Sequence, residues 1–194
     1  MSEVSPANTN EVNIGNTIDN AAKLSSYQIW LAILVALVFT ADGIANVVLP
    51  VAIPSIGQEW GLSRDAFKIV IACGLAGVAI GASIGGIISD KFGRRMTLIV
   101  CVMLFGVMTA LSALAHSIQM LATLRFFDGL GIGGAIPIGM ALIAESMNKR
   151  RRSMCIALCM GCIPVGSTVA SVMAPFALPD WRLLFWLGGL LPVT

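Results

Sequence analysis

The sequence has 194 residues, of which 57% are hydrophobic and only 11% are charged, and its mean hydropathy is +0.90. Soluble domains carry about 25% charged residues, so this composition excludes a water-soluble fold and points to a membrane bundle. The formal net charge of +2 is too small for a nucleic-acid-binding protein, and the placement of the charges is more informative than their sum.

Residues 1–26 are polar and rich in Asn, Ser and Thr. They carry neither a basic n-region nor a small-residue cleavage site, so they read as a disordered tail rather than a secretory signal. Beyond the tail, the apolar residues come in runs of about twenty, the length a helix needs to cross a hydrocarbon core of ~30 Å. The predicted spans run from Gln28 to Pro50, Ile69 to Ser89, Met96 to Ala115, Met120 to Ala144 and Met154 to Leu178, and a sixth opens at Leu183. This last run reaches Thr194 after about 18 Å of helix, so an incomplete sixth span is expected. The predicted fold class is all-α, with residues 27–194 forming a polytopic membrane helix bundle.

Short cytoplasmic loops hold the excess of Lys and Arg, which orients the bundle. Eight of the twelve basic residues fall on one side: Lys23 in the tail, Lys91, Arg94 and Arg95 in the second loop, and Lys149 to Arg152 in the fourth. Arg64, Lys68 and Arg182 fall on the other side, and Arg125 lies within a span. The N-terminus is therefore expected in the cytoplasm, with the protein in the inner or plasma membrane.

Gly77, Gly81 and Gly85 recur at a spacing of four residues, which places them on one helix face and admits a close neighbour. Gly129, Gly131, Gly133 and Gly134 resemble a dinucleotide fingerprint only superficially, because they lie in a span with no preceding strand. Pro50, Pro137 and Pro164 fall in or at the end of spans, where bends are tolerated. The five cysteines, Cys73, Cys101, Cys155, Cys159 and Cys162, all lie in apolar runs. Although the last three share one helix face, no His or carboxylate stands beside them, so no metal site or cofactor is expected. The single histidine, His116, lies in a short outer loop without a nucleophile or metal cluster, which argues against an enzyme.

Three ionisable residues interrupt the spans: Asp42 in the first, and Arg125 and Asp128 in the fourth. A charge at mid-bilayer costs at least ~2.5–3.5 kcal/mol, so each needs a partner or a wet cavity. Counted inward from the two membrane faces, Asp42 lies ~22 Å from the inner face and Arg125 ~9 Å from the outer one. In a core of ~30 Å these heights nearly coincide, so Asp42 and Arg125 are placed to face each other. Asp128 competes for the same guanidinium from one turn away, and Asn46 follows Asp42 by one turn. Two carboxylates sharing one cation change their proton affinity when the pairing changes, as a proton relay requires.

The second loop reads Gly86-Ile-Ile-Ser-Asp90-Lys91-Phe-Gly93-Arg94-Arg95. It resembles the signature of the major facilitator superfamily: glycine, three residues, acid, base, any residue, glycine and two bases. Its glycines permit a tight turn, and Asp90 with the following bases forms a charged latch at a helix end. Arg125-Phe-Phe-Asp-Gly129-Leu-Gly131-Ile-Gly133, and Glu145 followed seven residues later by Arg152, resemble further segments of the same superfamily. The resemblance implies that Arg125 lies in the transport path and that Glu145 joins the cytoplasmic gate as a partner of Arg94 or Arg95.

Asp42-Gly43-Ile44-Ala45 with Pro54 downstream, and Trp181-Arg182 with Phe185 and Gly188-Gly189, resemble the aromatic acid to proton symporters. That family usually carries a second acid where this sequence has Ala45, and often proline where it has Asn148. The resemblance implies the first six-helix half of a transporter, lacking its C-terminal half. Its substrate would be a small organic anion taken up with protons through Asp42, Asn46, Arg125 and Asp128. A drug or sugar carrier, or a truncated bundle without transport, are the competing readings.

Overall fold

In the computed structural model, which describes residues 26–177 and 181–190, the apolar runs form six α-helices and one 3-10 turn. Five helices are long and apolar enough to cross a membrane. Helix α1 spans Ser26–Trp60, α2 Lys68–Phe92, α3 Arg94–Ser112, α4 Ile118–Ser146, α5 Lys149–Ala177 and α6 Trp181–Leu190. Residues 1–25 of the predicted tail and the end of the sixth run lie outside the described residues, and Ser26 opens α1.

Most helix ends fall within a few residues of the expectation, and two differ by more. Helix α1 does not stop at Pro50 but runs 35 residues through Pro50 and Pro54. Each proline releases one carbonyl of the preceding turn, a loss that membrane helices absorb through neighbouring groups. The basic run Lys149–Arg152 forms the first turn of α5 rather than a loop, leaving Met147 and Asn148 as the connection. Helix α6 opens at Trp181, two residues before the predicted start.

The turns follow their residues. Gly93, with φ of 90°, joins α2 to α3 in a conformation that a side chain would strain. Ser117 caps α4, its hydroxyl accepting from the backbone N–H of Met120 at 3.2 Å.

Helix α2 packs chiefly on α4, α1 on α5, and α3 on α4 and α6. These seams are built on glycine. A methyl group added at Gly77 or Gly81 would overlap the carbonyl of Phe126 or Leu130, and one at Gly129 or Gly133 would overlap that of Gly74 or Val78. Gly43 and Gly166 make the same approach between α1 and α5. Such contact is what holds helices together where lipid removes the hydrophobic drive. Gly77→Val is expected to destabilise the bundle by about 1–3 kcal/mol through overpacking. Gly86→Ala, where a methyl meets nothing within 4 Å, should melt with the parent. Thermal unfolding of the purified variants checks both.

The buried apolar side chains form two clusters stacked along the bundle. One gathers Leu49, Ile56, Phe67, Leu121, Trp181 and Phe185, and the other Val35, Phe39, Val102, Phe105, Ile138 and Ile143. Between them along α1, α3 and α4 come Asp42, Thr109, Arg125 and Asp128, all buried.

Candidate functional site

Arg125 and Asp128 lie one turn apart on α4, a spacing that brings side chains together without help from the rest of the fold. The Arg125 Nη1 donates to Asp128 Oδ2 at 2.9 Å, and the Thr109 hydroxyl of α3 donates to Asp128 Oδ1 at 2.7 Å. Both carboxylate oxygens are thereby engaged. Burial of such a pair is tolerable because each added hydrogen bond offsets lost hydration. On its other side the guanidinium lies over the ring of Phe185 from α6, 5.2 Å from the centroid, a favourable cation–π contact. The Nε and Nη2 groups of Arg125 are buried and, among the described residues, make no hydrogen bond. Together they form the side-on edge of the guanidinium, the geometry that grips a carboxylate bidentately.

Asp42 sits on α1 with one oxygen engaged: Asn46 Nδ2 donates to Asp42 Oδ1 at 3.1 Å and to the Asp42 carbonyl at 3.0 Å. Among the described residues, its Oδ2 makes no hydrogen bond. Of the two carboxylates expected to compete for the guanidinium, Asp128, its neighbour on the same helix, holds it, and no ion pair joins Arg125 to Asp42 among the described residues. Neither charge points into lipid, as Asp42 is 4% and Arg125 7% exposed.

Asn46, Arg125 and Asp128 line a common cavity of about 190 Å³ between α1, α2 and α4. Its remaining walls are apolar or glycine, among them Leu49, Val70, Leu75 and Ile132. A larger groove of about 370 Å³ along α2 and α3 is walled almost wholly by apolar side chains and takes no part in the charged layer. Toward the opposite end of α1 the site is roofed by aromatic residues. Trp60 meets Trp181, and Trp181 meets Phe185, both edge to face, with centroids 6.3 and 5.8 Å apart. Glu59 anchors this roof, accepting from Trp181 Nε1 at 2.6 Å and from Arg182 Nη2 at 3.1 Å.

At the other end, the turn between α2 and α3 selects its own partners. Arg94 Nε meets Glu145 Oε1 of α4 at 2.7 Å, and Arg94 Nη2 meets Asp90 Oδ1 at 3.5 Å. Half-exposed pairs of this kind contribute under about 1 kcal/mol, so the cluster orients three helix ends more than it stabilises them. Lys91 lies 5.6 Å above the Phe92 ring. Arg95 and Arg152 are exposed and form no ion pair among the described residues. Arg94 rather than Arg95 is thus the partner of Glu145, and Arg152 is not brought to it. Gly93 supplies the turn, whereas the close approach to α4 is made by Gly85 and not by Gly86.

The sequence profile of the Major Facilitator Superfamily matches residues 31–194. The chain belongs to the major facilitator superfamily. It is a multi-pass membrane protein in a family of transporters, not of enzymes. Over 94% of its length it is 33% identical to a gallate transporter of Pseudomonas putida, and over 90% it is 31% identical to the 4-hydroxybenzoate transporter PcaK of Pseudomonas aeruginosa. It spans 41% and 40% of those two proteins, about two-fifths of each. Its fold is similar to the inward-open conformation of the xylose transporter XylE from E. coli, with a TM-score of 0.75 at 20% identity over 86% of this chain and 46% of that one.

Within this superfamily fold, four residues singled out from the sequence meet in one layer: Asp42, Asn46, Arg125 and Asp128. Thr109 and Phe185, which complete it, had no sequence signal as site residues. Hydroxyls in membrane helices ordinarily bond back to their own helix, as Thr40 does to Ala36 and Ser112 to Met108, so a threonine in a span attracts no notice.

Proposed function

We propose that the chain is the N-terminal half of a proton-coupled importer of small aromatic acids. Residues 27–194 belong in this reading to a six-helix bundle of the inner membrane, with the N-terminus cytoplasmic, as the one-sided distribution of Lys and Arg favours. A second half supplies the facing wall of the cavity, and the two rock about it in alternating access.

The observation that carries the reading is the side-on edge of Arg125, whose Nε and Nη2 are buried without partners among the described residues, beside a cavity with otherwise largely apolar walls. An unsatisfied buried donor costs about 1–3 kcal/mol, which a bound carboxylate returns. Apolar walls suit the ring of an aromatic acid, in keeping with relatives named for gallate and 4-hydroxybenzoate. Asp42, with one uncommitted oxygen, is the carboxylate that takes up and releases the proton, and Asn46 orients it.

The test is uptake of radiolabelled 4-hydroxybenzoate or benzoate by the full-length protein in liposomes. An imposed inward proton gradient should drive accumulation above equilibrium, and dissipating the gradient should abolish it. Absence of uptake for every aromatic acid tried would reject the reading.

A further inference from the structure

Most hydroxyls buried in this bundle donate to a backbone carbonyl, and Thr109 instead donates to a carboxylate on another helix. Thr40, Thr97 and Ser112, buried or half-buried, each donate to the carbonyl four residues back, and Ser167 does so to Ile163 while also reaching the Gly43 carbonyl of α1. Thr109, buried in α3, donates across the bundle to Asp128 Oδ1 at 2.7 Å. Asp128 is 2% exposed, and its other oxygen holds only the Nη1 end of Arg125.

A carboxylate with both oxygens free would take the guanidinium by its bidentate edge, the stronger arrangement. Here the Thr109 bond fixes how the carboxylate is turned, its second oxygen meets Nη1 alone, and Nε and Nη2 make no hydrogen bond among the described residues. We infer that Thr109 is a positioning residue for ligand recognition: its hydroxyl turns Asp128 so that the carboxylate holds Arg125 by one end and leaves the side-on edge available to the acid. Asp128 is then a fixed counter-ion, and Asp42 is left as the proton carrier. This inference rests on the proposed function for the ligand it names, but the bond at its centre can be read without transport.

Thr109→Val and Thr109→Ser separate the hydroxyl from its packing, because valine keeps the volume and serine keeps the donor. Loss of the hydroxyl frees Asp128 to take the Arg125 edge in competition with the acid. The Val variant of the full-length protein in liposomes should therefore show a KM for 4-hydroxybenzoate raised about tenfold, with maximal rate and membrane abundance near the parent. The Ser variant should match the parent. A parental KM in Thr109→Val overturns the inference, as does equal impairment of both variants, which would mean packing alone. A second readout is the infrared stretching band of the Asp128 carboxylate, assigned by its loss in Asp128→Asn. It should move in the Val variant and hold in the Ser variant, and an unmoved band overturns the inference whatever transport shows. If the parent takes up no aromatic acid, the proposed function falls and the band alone decides the role of Thr109.

Discussion

Replacing Arg125 with lysine is expected to lower acid uptake by the full-length protein about 10- to 100-fold, with the amount in the membrane unchanged. The ammonium keeps the charge and still reaches Asp128, so the buried carboxylate retains a counter-ion and the bundle folds. What is lost is the plane. A lysine has no side-on edge to offer a carboxylate, and its compact charge cannot lie flat on the Phe185 ring as the guanidinium does at 5.2 Å. Replacement by alanine would confuse the result, since an unpartnered Asp128 at 2% exposure costs about 3–5 kcal/mol of stability. Measuring initial uptake rates beside membrane abundance separates the two effects. Uptake equal to the parent would remove the guanidinium from substrate recognition.

The second large effect is expected at Asp42. Asn at this position keeps the size and the hydrogen bond to Asn46 but cannot cycle a proton. Accumulation driven by an imposed proton gradient should vanish, while exchange of labelled for unlabelled acid across the membrane, which needs no net proton movement, should persist at least in part. The pair of assays is diagnostic: loss of both would mean that Asp42 serves binding or folding rather than coupling. Retention of gradient-driven accumulation would pass the proton to another group, with Asp128 disfavoured because both its oxygens are engaged.

The long spans were legible because apolar runs of membrane-crossing length have few other readings. The charged layer was legible by height, and the partner choice was not. Counting residues along two helices put Asp42 level with Arg125, yet depth says nothing of rotation about each helix axis. Asp128, three residues along the same helix, needs no such coincidence to reach the arginine. Helix ends were less legible still: Pro50 looks like a terminus but lies inside α1, and the bases at 149–152 look like a loop but start α5. Thr109 was invisible, because a threonine that bonds across the bundle and one that bonds to its own helix read alike in a sequence. Phe185 was quoted only as part of a family likeness, and its place over the arginine emerges from the fold.

The glycine seams bear on how the molecule moves. Carbonyls of α4 sit where side chains of α2 would stand, and those of α2 occupy the matching gaps on α4. Teeth seated in notches allow no fractional slip, because sliding one helix along the other first requires prising them apart. In the proposed transport cycle this pair therefore travels as one plank, carrying Arg125 and Asp128 of α4 with it.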